Sequence, residues 1–103
     1  MRFEVEISEM AEQQYDDILN YIAFELQNPQ AVERIQEDFD HILTRLENNA
    51  DSFGFCNGER LKKKGFHRLP FRDHRYLVIY RIKGDKVIIE GIYHELQDYE
   101  NSL

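Results

Sequence analysis

Two long β-branched and aromatic runs, 75–83 (RYLVIYRIK) and 86–93 (KVIIEGIY), stand two residues apart in this chain. The joining pair is Gly84-Asp85, residues that reach a tight hairpin turn because positive φ costs them little. This pairing constrains the rest, since a hairpin with so much apolar surface needs more strands and a covering layer. Just upstream, Phe66–Phe71 predicts a third strand, ended by Pro70 and the polar Arg72-Asp73-His74 turn. Three consecutive antiparallel strands make a meander.

The N-terminal half supplies the cover. Arg2–Ile7 alternates, with Phe3, Val5 and Ile7 on one side and Arg2, Glu4 and Glu6 on the other, as in a half-buried strand. Ser8 is placed to cap a helix whose first turn carries Glu9 and Glu12 at its positive end. Ala11, Tyr15, Ile18, Ile22 and Leu26 then form one helical stripe. Asn28-Pro29 ends that helix and starts the next, on which Val32, Ile35, Phe39, Ile42 and Leu46 recur, with Leu43 widening the stripe. The short link makes an antiparallel helical hairpin, and laying it on one sheet face buries both stripes. The expected architecture is a two-layer α+β domain over residues 1–103: strand, helical hairpin, then antiparallel meander. Residues 47–65 are the least regular part, tacked to the core by Phe53, Phe55 and Leu61. Cys56 reads as a small buried hydrophobe, and residues 95–99 as a short helical turn.

No apolar run approaches a membrane span, and MRFEVEIS reads as a strand, not a signal sequence. A single cysteine forms no internal disulfide, which with the rest points to a cytoplasmic protein. The net charge of −7 taken alone argues against a nucleic-acid binder, and no sequence-specific contact to DNA is expected. That charge is unevenly placed. Residues 1–51 hold 3 Arg/Lys against 13 Asp/Glu, whereas 60–86 hold 10 against 2. The chain is therefore dipolar, an arrangement that serves either solubility or a partner of complementary charge.

Most catalytic signatures are missing. There is no glycine-rich phosphate loop, no Cys-x-x-Cys, no His-Glu-x-x-His, and no metal-ligand spacing among His41, His67, His74 and His94, so no metal or cofactor is expected. What remains is cationic and aromatic. Arg68, Arg72, Arg75 and Arg81 offer planar forks for phosphates or carboxylates, beside the loop run Lys62–Lys64. Tyr93 and His94 close the last strand, where a phenol and an imidazole serve either a substrate or the core. Strand alternation groups Tyr76, Val78, Tyr80 and Ile82 against Leu77, Ile79 and Arg81. On the last strand it groups Val87, Ile89, Gly91 and Tyr93 against Ile88, Glu90, Ile92 and His94. Both sheet faces are then apolar, more than one helical layer covers, and the excess predicts a second polypeptide on the sheet or its edge.

The pattern as a whole resembles the RelE/ParE superfamily of bacterial type II toxins, nearer its ParE or plasmid-stabilisation branch. The resemblance is carried by FEVEIS, AEQQYDDILNYIAFEL, NPQAVERIQEDFDHILTRL, FHRLPF, RYLVIYRI and GDKVIIEGIYHELQD, in that order, and leaves out mainly 47–63. It implies a β-α-α-β-β-β domain and a neutralising antitoxin. ParE-like members inhibit DNA gyrase by binding it, and the HELQD ending suits that branch, which makes Gln97 and Asp98 contact candidates with the arginines, Tyr93 and His94. RelE-like members cut messenger RNA on the ribosome, for which Arg68, Arg81, Tyr93 and His94 are the nearest catalytic candidates by position. An arginine of those nucleases falls on Leu77 here, which removes a charge that in-line attack on phosphate needs. A third implied reading is an inactive homologue that keeps antitoxin binding.

Overall fold

In a computed structural model of the protein, described for residues 2–72 and 75–103, the last strand is the one that others pair with on both sides. β4 (Lys86–His94) runs antiparallel to β3 (Tyr76–Lys83) and parallel to β1 (Glu4–Ile7), and β2 (His67–Pro70) completes the order β1-β4-β3-β2. The predicted hairpin is present: Lys83 pairs with Lys86 across Gly84-Asp85, and Gly84 takes the positive φ of 63°. The predicted turn after Pro70 includes Asp73 and His74, which lie outside the described residues. The α+β order of strand, two helices and three strands is as expected, and the parallel β1–β4 pairing makes the sheet mixed.

α1 (Glu9–Asn20) starts where Ser8 Oγ accepts from the Ala11 N–H at 3.1 Å. α2 (Pro29–Asn49) starts where Asn28 Oδ1 accepts from the Ala31 N–H at 3.1 Å. The two lie over one sheet face. Ala11 and Ile22 from α1 and its extension, and Ile35, Phe39, Ile42 and Leu46 from α2, meet Leu69, Val78, Tyr80, Val87, Ile89 and Ile92. Tyr15 stacks on Phe39 at 4.4 Å between centroids, tying the helices together.

Two local irregularities change the expected faces. The helix after Asn20 widens into a π turn over Tyr21–Glu25, where the Leu26 N–H donates to the Tyr21 carbonyl. The extra residue in that turn rotates the following position, so Leu26 leaves the predicted stripe and is 56% exposed. In β4, Tyr80 pairs with Ile89 but Ile79 pairs with Gly91, so Glu90 is a bulge. A bulge reverses the alternation beyond it. Val87 and Ile89 therefore share the helix face with Ile92, and Gly91 and Tyr93 lie on the other, correcting the uninterrupted alternation predicted for this strand.

The second face also differs from expectation. It is not left bare for another polypeptide. Cys56, α3 (Glu59–Lys63) with its Leu61, and Phe66 close over Leu77, Ile79 and Tyr93, and Tyr99 and Leu103 add to the same cluster. Segment 47–65 thus does more than tack a loop down: it forms a partial second layer. Phe55 is 48% exposed and stacks on His67, so of the three predicted anchors it is the one that stays at the surface. No helix among the described residues is long and apolar enough to cross a membrane.

Candidate functional site: the arginine face of the sheet

β2 and β3 carry Arg68 and Arg81 onto the face away from the helices, because each follows the register His67↔Tyr80 and Arg68↔Ile79 with period two. Arg81 is engaged there. Its Nη2 lies 2.5 Å from Glu90 Oε2, and its Cζ sits 5.1 Å from the Phe66 ring centroid. The Glu90 partner was not anticipated from the sequence. The signal for it is a lone carboxylate inside the apolar run KVIIEGIY, followed by glycine, where a buried charge needs a counter-ion and a strand needs slack.

Arg68 has no ion pair among the described residues, and the Nε atoms of Arg68 and Arg81 are buried without a hydrogen-bond partner. The Tyr93 hydroxyl, on the same face, is likewise buried and unpartnered. Nearby, burial pushes the Cys56 thiol up to about 11, with Glu100 raising it further and Arg68 opposing. A neutral, enclosed thiol is a packing group, as the sequence indicated.

The remaining candidates are dispersed. His94 stands on the helix side of β4, edge-on to Tyr76 at 5.3 Å between centroids. It opens into a groove of about 300 Å³ lined by Gln14, Tyr21, Ile92 and Gln97 among others. Its backbone N–H donates to Gln97 Oε1 at 2.7 Å, and its Nδ1 accepts from the Leu96 N–H at 3.1 Å. Gln97 therefore completes the edge of β4. Asp98 folds the tail, accepting from Asn101 Nδ2 through its carboxylate and from Ser102 Oγ through its carbonyl. Arg75 makes an exposed pair with Glu95 at 3.3 Å. Arg72 Nη2 lies 2.6 Å from His41 Nε2, and its N–H donates to Asp38 Oδ1 at 3.0 Å.

The structure thus brings Arg68, Arg81 and Tyr93 to one face and places His94 on the other. Guanidinium groups on such a face are suited to anionic or carboxylate groups, although Tyr93 is buried and Arg81 is already paired with Glu90. The face does not set an imidazole beside the phenol for proton transfer, which requires hydrogen-bond reach to one substrate.

A family model described as the ParE toxin of type II toxin-antitoxin system, parDE, matches residues 5–99. No curated protein gives a significant match. Among solved structures the chain is similar to a chromosomal ParDE toxin–antitoxin system from P. aeruginosa, with a TM-score of 0.73 at 17% identity, covering 90% of this chain and 96% of that one. At that identity the likeness speaks for the fold.

Proposed function

The chain belongs to the ParE toxin family of type II toxin–antitoxin systems, and on that premise we propose that it arrests growth by binding DNA gyrase, without covalent chemistry of its own, until a cognate antitoxin covers it. The observation that carries the non-covalent reading is the separation of His94 from Tyr93 and Arg68 across the sheet, together with the capture of Arg81 by Glu90. A ribosome-dependent nuclease needs those groups on one phosphate; a binding inhibitor does not. Of the two strand arginines on that face, Arg68 is the one left to meet a carboxylate of gyrase or antitoxin, with Arg72 two residues past the end of β2.

Supercoiling by purified gyrase tests this. The pure protein is expected to inhibit it at concentrations that stall growing cells, with Arg68→Ala weakening inhibition about tenfold, as for one charged hydrogen-bonded contact. Reconstituted ribosomes are expected to leave their message uncut. Unimpeded supercoiling at growth-stalling concentrations overturns the gyrase assignment, and normal growth without the antitoxin overturns toxicity itself.

A further inference from the structure

We infer that Glu90 sets the class of anion the arginine face accepts, shutting out the phosphate backbone of nucleic acid by neutralising Arg81. This goes beyond the gyrase reading and does not depend on it, because it concerns what the face refuses. Cross-strand register assembles the group. Arg68 lies opposite Ile79, Arg81 opposite Ile88, and Ile88 opposite Glu6, so these side chains share the face away from the helices. Glu90 is the bulged residue of β4, opposed by nothing on β3. A bulge re-aims a side chain. Here the Glu90 carbonyl accepts from Ser8 Oγ at 3.2 Å, and the carboxylate reaches Arg81 Nη2 at 2.5 Å.

The pair is closed on two sides. Arg81 Cζ stands 5.1 Å from the Phe66 ring centroid, and the Arg81 and Glu90 side chains keep only 33% and 19% of their surface exposed. Further along the face, Lys86 Nζ lies 3.3 Å from Glu6 Oε1. Cations and carboxylates therefore alternate from β3 through β4 to β1. Of Arg68, Arg81 and Lys86, Arg68 alone has no ion pair among the described residues. One guanidinium fork suits one carboxylate. A nucleic-acid strand instead carries a charge on every phosphate and binds through several uncompensated cations in a row. Running on from Arg68, it meets Glu90 where a second free arginine is needed, and the like charge there opposes it.

Fluorescence anisotropy of a labelled oligouridylate with the full chain tests this. Glu90→Gln removes the charge and keeps the size and an acceptor for Arg81. It is expected to tighten RNA binding at least about tenfold at low salt, and to steepen the log–log salt dependence by about 0.7, as for one further phosphate contact on a single strand. Adding Arg81→Ala is expected to cancel both changes. Glu90→Asp keeps the charge and is expected to bind RNA as the native protein does. Glu90→Ala carries the same expectation as Glu90→Gln should the amide disturb the strand.

Native affinity in a folded Glu90→Gln or Glu90→Ala protein overturns the inference. A gain that survives Arg81→Ala overturns it as well. So does unfolding of both variants, which makes the pair a structural brace. The gyrase reading is judged separately by supercoiling, so either fails without the other.

Discussion

Tyr80 lies in the middle of the core, yet its hydroxyl donates to the Ala50 carbonyl at 2.6 Å, pinning the end of α2 to β3. Tyr80→Phe leaves that carbonyl unsatisfied in a dry site and is expected to cost about 1–3 kcal/mol in denaturant unfolding. Cys56 makes a second residue-scale prediction. Its folded thiol titrates near 11, against an ordinary 9.0, so above pH 9 the unfolded chain releases a proton that the folded chain keeps. Stability therefore falls with rising pH in that window, and Cys56→Ala is expected to flatten the decline between pH 9 and 10, before the tyrosines contribute. Native protein at pH 8 is expected to resist alkylation at this thiol until it is unfolded, because the thiolate is the nucleophile. The burial of Cys56 was legible from its residue type; its charged neighbours Arg68 and Glu100 come from β2 and the tail, which no local pattern joins.

The hairpin, the meander and both helices were legible because their signals are local: a turn dipeptide, a cap, a period. The two features that redirect side chains were not. The π turn after Asn20 and the bulge at Glu90 each add a single residue, and a one-residue insertion leaves composition and flanking periodicity intact. The bulge has a large effect all the same, because it exchanges the faces of His94 and Tyr93, so that Tyr93 and not His94 shares the face of Arg68 and Arg81. Gly91 belongs to this element. A Cβ there runs into the Tyr93 ring, which lies flat across it on the second face. Gly91→Ala is expected to displace that ring and destabilise the fold by about 1–3 kcal/mol, read as a lowered melting temperature and altered tyrosine fluorescence. The layer formed by 54–66 was illegible for a different reason. Its anchors, Cys56, Leu61 and Phe66, follow no strand or helix period and find their places only against a finished sheet.

Across the whole molecule, the charge division read from the sequence becomes two surfaces. Glu4, Glu47 and Asp85 edge the groove beside β1, and Arg68 and Arg81 lie on the face beneath α3 and the tail. A partner that wraps both must itself be divided in charge, complementary at each end. The parallel β1–β4 pair, set by Glu4↔Lys86 through Ile7↔Ile89, was invisible beforehand because it joins residues 82 positions apart. A version ending at Gly84 keeps both helices but lacks the central strand, and is expected to show no cooperative melting by circular dichroism. On the ribosome the same arrangement acts as a clock. The first strand emerges with nothing to pair with, and it waits for a segment 82 positions further on to complete it. The sheet therefore closes only once β4 has been made. A partner that recognises the closed sheet therefore has nothing complete to bind until both ends of that pairing exist.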